Sequence, residues 1–246
     1  MAKADPAAVL PVFIGYDPSE DAAWHVCRAS MERHHDDPER PLAIMPLRQS
    51  LLREAGLYDR PDDPLASTEF TYTRFLTPVL AAKLDPDAAW ALYIDCDTLW
   101  LEDVGKLFAL ADPSFAVMAV KHDHVPTNQR KMDGKVQSVY PRKNWSSLML
   151  FNMRAPEILA GLTRNTVNTA TAAYLHRFMW CRDDRIGGLS AAWNWLVGIS
   201  DPSISPKMVH FTDGGPWLPE YKGVRYAREW LDELALTEGG SNANRS

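Results

Sequence analysis

The chain has few cysteines, no long apolar run and no excess of positive charge. Its three cysteines, Cys27, Cys96 and Cys181, are odd in number and far apart, which fits neither a disulfide framework nor a zinc site. The formal charge of −6 argues against a nucleic-acid partner. These absences leave enzymes and binding proteins without structural disulfides as the classes to consider.

Signals for a membrane or for secretion are also missing. No segment approaches the roughly 18–20 consecutive apolar residues of a membrane span. Residues 1–6 contain no hydrophobic signal core. We therefore expect no membrane span and a soluble protein of the reducing cytoplasm.

Hydrophobic residues make up 46% of the 246 positions, enough for a sizeable core. Apolar runs at 9–16 and 42–47 predict strands on either side of a helix over 22–34. A β-α-β unit of this kind implies a parallel sheet, so we expect an α/β domain with a mostly parallel central sheet flanked by helices. The predicted organisation is an N-terminal extension, one domain and a disordered tail, at residues 1–8, 9–236 and 237–246.

Further elements are predicted along the chain. Residues 67–84 form a helix that Pro78 kinks or divides, residues 156–177 form one or two helices, and residues 220–236 form an amphipathic helix. Residues 122–142 are polar and rich in Lys and Arg. A loop of this length inside a domain is often functional, so we interpret it as a candidate lid over an anionic ligand.

The most informative segment is residues 90–99, an apolar, β-favouring run that ends in Asp95-Cys96-Asp97. Side chains alternate along a strand, so Asp95 and Asp97 emerge on the same side of its carboxyl end. Two carboxylates this close favour a divalent cation with hard ligands, Mn²⁺ or Mg²⁺. A second D-x-D, Asp85-Pro86-Asp87, lies in a polar, proline-bearing stretch and is typical of a turn.

Two other segments become informative beside the aspartates. His210 ends an apolar run and is followed by Gly214 and Gly215, which permit close approach of the backbone to a ligand. Neutral imidazole is a suitable third ligand for Mn²⁺ beside two carboxylates. Taken alone, such a histidine is more often an ordinary core or surface residue.

The first strand ends in Gly15, Tyr16 and Asp17. Tyr16 can stack on a nucleoside base, and Asp17 can accept the imide hydrogen of that base. The alternative is a core strand that ends in an ordinary Asp-Pro turn. Both interpretations stay open at the level of these residues.

Together these segments resemble glycosyltransferases of the GT-A fold, in particular the bacterial members of glycosyltransferase family 8. The resemblance extends over roughly residues 10–220 in the order of elements. The matching motifs are Phe13-Ile14-Gly15-Tyr16-Asp17, Thr71-Tyr72-Thr73-Arg74-Phe75, Tyr93-Ile94-Asp95-Cys96-Asp97 and His210-Phe211-Thr212.

The resemblance implies a Rossmann-like GT-A domain that binds a nucleotide sugar, UDP-linked in most members, and transfers the sugar with retention to a hydroxyl acceptor. It implies that Asp95, Asp97 and His210 hold Mn²⁺ (or Mg²⁺) and that Arg74 lies near the donor sugar and diphosphate. The segment containing Ser146 falls where the family lines its sugar pocket. The further donor-binding candidates are Gly15, Tyr16, Asp17, Cys96, Gly214 and Gly215.

Two departures from the family pattern matter. The family has a lysine before its late Pro-Trp pair, whereas Pro216-Trp217 has none; Arg130, Lys131, Lys207 and Lys222 are the candidate replacements. The sugar-binding acid of the family is matched only loosely by Asp183 and Asp184. We take Asp184, together with Arg74, as the candidate catalytic residues.

Two other functions compete with the transferase. Asp95-Cys96-Asp97-Thr98 also fits the D-x-D-x-T motif of haloacid-dehalogenase-type phosphatases, with Asp183-Asp184 as a late acidic pair. That motif normally lies on the first strand, whereas a β-α-β unit precedes it here. A non-catalytic module that binds nucleotide sugars is the second alternative, which the missing lysine favours.

Overall fold

The computed structural model describes residues 9–123 and 141–243. Six strands form the central sheet and three more form a small second sheet. In chain order the strands are β1 Leu10–Gly15, β2 Leu42–Leu47, β3 Trp90–Ile94, β4 Thr98–Trp100, β5 Val117–Val120, β6 Leu148–Asn152, β7 Ile186–Leu189, β8 Trp195–Leu196 and β9 Met208–His210. The helices are α1 Asp21–His34, α2 Gln49–Glu54, α3 Phe70–Thr73, α4 Thr77–Leu84, α5 Val104–Phe108, α6 Pro156–Gly161, α7 Arg164–Thr169, α8 Ala172–His176 and α9 Ala227–Ala243.

The central sheet has the order β2-β1-β3-β6-β5-β7. β1 runs parallel to β2 and to β3, and β5 runs parallel to β7. β6 is antiparallel to both of its neighbours. Five strands therefore point the same way, which confirms the predicted mostly parallel α/β sheet and brings their carboxyl ends to one edge, called here the carboxyl edge.

The second sheet has the order β4-β9-β8, and β4 begins directly after Asp97. Its apolar side chains form a separate cluster with residues of α1 and α9, made of Ala23, Val26, Leu99, Trp195, Val209, Phe211 and Trp230. Asp95, Cys96 and Asp97 are thus the connection between the two sheets. Because both ends of this connection are held in strands, its side chains have fixed directions.

Local sequence explains the helices that frame this edge. Asp17 accepts a hydrogen bond from the Ser19 backbone N–H (2.9 Å) and caps the turn that leads into α1. Pro78 lies in the first turn of α4, where its missing N–H costs no helical hydrogen bond. The predicted 67–84 helix is divided, but the break is a 3-10 turn over Arg74–Leu76 that precedes Pro78 and separates α3 from α4.

Several predicted boundaries were wrong. Residues 156–177 form three short helices, because Thr163 and Thr171 each cap a new helix with a side-chain hydrogen bond. The last helix begins at Ala227 rather than at residue 220, after Tyr226 in a left-handed conformation (φ 67°). It continues to Ala243, so the tail predicted to be disordered is helical over 237–243, since an established helix gains one hydrogen bond with each added residue.

The predicted lid over residues 122–142 lies mostly outside the described residues. In the part of the chain that the structure does describe, no helix is both long and apolar enough to cross a bilayer.

Candidate metal and nucleotide-sugar site

The two aspartates that follow β3 and the histidine that ends β9 come together at the carboxyl edge. One ligand atom from each of Asp95, Asp97 and His210 lies within 4.8 Å of the other two. Asp95 and His210 are buried, and His210 Nε2 lies 3.2 Å from Asp97 Oδ1. Two carboxylates and one imidazole at this separation are a ligand set that suits Mn²⁺. The predicted grouping of these three residues is therefore present.

Asp95 is held by three neighbours. Arg74 Nη1 lies 2.9 Å from Asp95 Oδ1, and the hydroxyl of Tyr93 donates to the same oxygen (2.6 Å). The Asp95 backbone N–H donates to the Ser147 carbonyl (2.9 Å). Arg74 also donates to the carbonyl of Ser146 (3.0 Å), so its guanidinium group is fixed between β3 and the start of β6. The carboxylate of Asp95 thus has one defined direction.

Asp97 and His210 are placed by strand pairing. Thr98 is the register partner of His210 in the antiparallel β4–β9 ladder, and the Phe211 N–H donates to the Asp97 carbonyl (2.9 Å). The other ring nitrogen of His210, Nδ1, lies 2.9 Å from Asn194 Oδ1. A histidine that is hydrogen-bonded at one nitrogen and faces carboxylates with the other has the usual arrangement of a metal ligand.

The charges at the site favour a cation. Burial raises the pKa of Asp95, and the charge of Asp97 adds to this against the opposing effect of Arg74. Burial would lower the pKa of His210, but Asp97 and Asp95 raise it above its ordinary value. Burial, followed by the charge of Asp97, also raises the pKa of Glu20 to about 8. Crowded carboxylates of this kind gain stability from a divalent cation, so the residues fit one.

The end of β1 is packed more tightly by the protein than expected for an open base platform. Arg48 covers the Tyr16 ring, with its guanidinium carbon 3.7 Å from the ring centroid. Asp17 accepts hydrogen bonds from Ser19 and, through Oδ2, from the Glu69 N–H (3.0 Å). A Cβ on Gly15 would lie 2.6 Å from the Phe70 ring. Gly15 is therefore required by core packing, and its role in donor binding stays a prediction.

The remaining donor-binding candidates have defined partners. Cys96 donates through Sγ to Glu20 Oε2 (3.1 Å), and burial raises its pKa well above the ordinary value. Ser146 Oγ lies 2.9 Å from His176 Nδ1, while its carbonyl accepts from Arg74. Cys96 lies between Asp95 and Asp97 in the chain, and Ser146 reaches the same region through its hydrogen bond with Arg74. A contact of either residue with a donor stays a prediction.

The two glycines after β9 are structurally demanding. Gly214 has a φ of 137°, which side chains other than glycine rarely adopt. A Cβ on Gly215 would lie 1.8 Å from the Trp217 ring. Packing of Trp217 therefore explains Gly215 without a ligand. Among the described candidates for the missing lysine, Lys207 Nζ lies 4.7 Å from the Trp193 ring centroid and Lys222 is exposed.

Asp184 lies at the other edge of the sheet. It belongs to a short 3-10 turn, Asp183–Arg185, that precedes β7. β7 is parallel to β5, with Leu189 opposite Val120, so the carboxyl end of β7 faces the site and its amino end faces away. Asp184 is exposed and pairs with Arg182. This position does not bring Asp184 to the metal-binding cluster and gives no support to its predicted catalytic role.

The same placement bears on the phosphatase alternative, which needs a late acidic pair beside Asp95. Asp183 pairs with Arg142 (2.5 Å) and Asp184 with Arg182, and neither carboxylate belongs to the grouping of Asp95, Asp97 and His210. The motif also follows the third strand of the chain rather than the first. Neither feature matches that family.

Sequence reasoning missed three residues of the site. Tyr93 lies two positions before Asp95, so strand alternation places both on one face and was a usable signal. Glu20 lies in the turn before α1, and no motif marks it as a neighbour of Asp97. Asn194 is a polar residue inside an aromatic run, and its partner becomes evident only when β8 pairs with β9.

Comparison with curated proteins gives one close relative. The chain is 45% identical over 231 residues to Protein CDI of Arabidopsis thaliana, covering 91% of this chain and 85% of that protein. No protein-family model matches the chain.

Solved structures with a similar fold are glycosyltransferases. The WbbM bifunctional glycosyltransferase aligns with a TM-score of 0.64 at 17% identity, and GlyE of Streptococcus pneumoniae with 0.59 at 13%. This chain is covered to 96% in both, but it spans only 51% of the WbbM chain and 64% of the GlyE chain. The galactosyltransferase LgtC, solved with donor and acceptor sugar analogues, aligns with a TM-score of 0.57 at 12% identity. The alignment covers 92% of this chain and 95% of the LgtC chain. The fold is therefore the Rossmann-like GT-A fold, and membership of family 8 stays a prediction.

Proposed function

Because this chain belongs to the same protein family as Protein CDI of Arabidopsis thaliana and has the GT-A fold, we propose that it is a metal-dependent glycosyltransferase. It moves a sugar from a nucleotide-sugar donor, UDP-linked, to a hydroxyl acceptor on a glycan, a small molecule or a protein. We propose that residues 9–236 form the transferase domain. The cytoplasmic location expected from the free cysteines stays a prediction.

The observation that carries this proposal is the buried grouping of Asp95, Asp97 and His210 at the carboxyl edge. This edge is where α/β folds bind their ligands. The D-x-D aspartates lie there on a strand-to-strand connection, with Arg74 as the neighbouring cation. An ordinary turn would not need the buried guanidinium of Arg74 and the imidazole of His210 beside its carboxylates.

Some residues of the site would bind the metal, and others orient the residues that bind it. When bound, Mn²⁺ or Mg²⁺ would supply Lewis-acid stabilisation of the leaving diphosphate. Asp95, Asp97 and His210 would hold it, because their oxygens and Nε2 face one another. Arg74 and Tyr93 keep the Asp95 carboxylate in one direction, so little reorganisation is needed when the donor binds.

Donor recognition and stereochemistry form the finer part of the proposal. Gly15, Tyr16 and Asp17 at the end of β1 are the residues proposed to take the base of the donor, and Arg48 would have to leave the Tyr16 ring for a base to stack there. Cys96, Ser146, Gly214 and Gly215 are the residues proposed to contact the rest of the donor. Retention of configuration is proposed from the family resemblance. With Asp184 at the opposite edge, the retaining step would not use that carboxylate.

Calorimetric titration of UDP and of GDP, with and without Mn²⁺, tests the proposal on wild type and on Asp97→Ala. The matched control is Asp87→Ala, which removes an aspartate from the other D-x-D. We expect UDP binding that requires Mn²⁺ in wild type and in the control and that is lost in Asp97→Ala.

Binding of GDP in place of UDP would retain the transferase and change its donor. Failure of both nucleotides to bind with any divalent metal would overturn the donor assignment. If UDP binds but no donor sugar is transferred or hydrolysed in a panel of donors, the non-catalytic module replaces the enzyme.

A further inference from the structure

His210 is the end of a chain of hydrogen bonds that begins at the backbone carbonyl of Asn144. Its Nδ1 lies 2.9 Å from Asn194 Oδ1, and Asn194 Nδ2 donates to Ser147 Oγ (2.8 Å). Ser147 Oγ in turn donates to the Asn144 carbonyl (2.7 Å). Asn194, Ser147 and His210 are all buried. Each hydrogen bond in this chain limits the direction of the next.

The hydroxyl of Ser147 decides how the amide of Asn194 is oriented. A hydroxyl has one proton, and the short contact with the Asn144 carbonyl takes it. Ser147 Oγ can then only accept from Asn194, so the NH₂ group of the amide faces Ser147. The amide oxygen consequently faces His210, and Nδ1 of that ring must carry a proton.

The start of the chain is fixed by the backbone. Asn144 adopts a left-handed conformation (φ 65°), which asparagine tolerates better than most residues. Its carbonyl also accepts the Ser147 backbone N–H (3.3 Å). The acceptor that orients Ser147 is therefore part of a tight turn and not a free surface group.

The consequence appears at the other ring nitrogen. With Nδ1 protonated, the neutral imidazole presents a lone pair at Nε2, which lies 3.2 Å from Asp97 Oδ1. Two acceptors at that distance repel each other unless a proton or a cation lies against both. The opposite tautomer would donate directly to Asp97, and the orientation of Asn194 excludes it. A ring protonated at both nitrogens would satisfy Asn194 and Asp97 together, and a bound cation would take the place of the proton at Nε2.

We propose that Asn194 and Ser147 are positioning residues that hold His210 in the Nδ1–H tautomer, so that its Nε2 lone pair serves as a ligand for the divalent cation. This inference rests on the metal site of the proposed function. Ser147, just before β6, and Asn194, just before β8, would thus affect cation affinity through His210 and not by binding the cation themselves.

Binding of Mn²⁺ alone, followed by electron paramagnetic resonance of the free ion, tests the proposal on the full chain. Asn194→Leu removes the acceptor at similar size. Asn194→Asp keeps an acceptor toward Nδ1, and Ser147→Ala leaves the amide free to turn. Asn152→Leu is the matched control, because Asn152 is also buried and makes two hydrogen bonds but ends β6 at the opposite edge.

We expect Asn194→Leu to weaken Mn²⁺ binding by about 10–100-fold, the effect of losing a partner of a metal-bound histidine. Asn194→Asp should restore most of the affinity, and Ser147→Ala should lose less than Asn194→Leu. Asn152→Leu should lower the melting temperature while it leaves Mn²⁺ affinity unchanged.

Equal affinity in Asn194→Leu and Asn152→Leu would overturn the inference and leave the metal site intact. So would an Asn194→Asp variant that is folded, by its melting temperature, but binds no better than Asn194→Leu. Absence of Mn²⁺ binding in wild type, with Asp97→Ala no different, would instead overturn the metal site of the proposed function, and the inference with it.

Discussion

The chain contains two D-x-D segments ten residues apart, one on either side of the same strand. Asp85-Pro86-Asp87 precedes the amino end of β3, and Asp95-Cys96-Asp97 follows its carboxyl end. Asp85 ends α4, and its carboxylate accepts from the Asp87 N–H (3.0 Å) as in an ordinary turn. Asp95 is buried and bonded to a cation and a phenol. Identical spacing of the aspartates thus produces two unrelated environments.

The difference lies in what the strand and its neighbours bring to each end. At the amino end the carboxylates are partly or fully exposed and water can solvate them. At the carboxyl edge, β9 contributes His210 and the 3-10 turn after α3 contributes Arg74. A D-x-D motif is therefore informative only together with the end of the strand on which it lies.

Replacement of the arginine beside each D-x-D segment should give the largest difference in the free energy of unfolding. In metal-free protein, Arg74→Met should lower the free energy of unfolding by about 3–5 kcal/mol, because it leaves the buried Asp95 carboxylate without its partner. Arg154→Met is the control, since the exposed Arg154 reaches the Asp87 carbonyl only at 3.5 Å. Urea unfolding in the presence of a chelator measures both.

Addition of Mn²⁺ sharpens that contrast. The stability lost in Arg74→Met should be partly recovered, because a bound cation replaces the missing positive charge beside Asp95. Arg154→Met should be as stable as wild type in either condition. If Arg74→Met unfolds like Arg154→Met without metal, the pairing of Arg74 with Asp95 does not stabilise the carboxyl edge.

The grouping of Asp95, Asp97 and His210 was predictable because its signals are local. Alternation places Asp95 and Asp97 together, and the carboxyl end of a parallel strand is a general ligand site. His210 could be added because it ends a second apolar run. Asn194 and Ser147 were not predictable, since their relation to His210 depends on the pairing of β8 with β9 and on the turn at Asn144.

The catalytic role of Asp184 stays a prediction, because it rests on a loose match to the family pattern and not on a contact. The sequence around Asp184 does not tell at which edge of the sheet this residue lies. The direction of β7 follows from its parallel pairing with β5, a contact between segments about 70 positions apart in the sequence. Helix boundaries such as Ala227 depended on Tyr226, whose backbone conformation no propensity predicts.

Asp103 offers a second comparison with Asp97, because it too lies beside a histidine, His35. His35 Nδ1 lies 2.9 Å from Asp103 Oδ1, and its Nε2 lies 2.9 Å from the Arg40 carbonyl. Both partners are acceptors, so the arrangement favours a ring that carries a proton on each nitrogen. Burial lowers the pKa of His35, but the hydrogen bonds to Asp103 and Arg40 and the nearby charge of Asp37 raise it overall above the ordinary value.

Because the pKa of His35 is raised in the folded state, its contribution to stability is complete below the unfolded value of about 6.5. It is lost as the pH rises through the folded pKa. His35→Gln should therefore remove about 1 kcal/mol at pH 6 and less at pH 9, because the hydrogen bond to Asp103 is charge-assisted only while the ring is protonated. Urea unfolding at several pH values measures this, with His34→Gln as the control; equal losses at both pH values would contradict it.

The smallest effect is expected at the acidic pair on the opposite edge. Asp184→Asn should leave Mn²⁺ affinity, sugar transfer and the urea midpoint indistinguishable from wild type, because Asp184 is exposed and pairs with an exposed Arg182 at the amino end of β7. Asp97→Asn, tested alongside, should abolish metal-dependent transfer. A selective loss of transfer in Asp184→Asn, with unchanged metal binding and stability, would mean that the acceptor or a second molecule brings the opposite edge into the reaction. The carboxyl end of β3 would then be where the metal binds, but the catalytic surface would extend beyond that edge of the sheet.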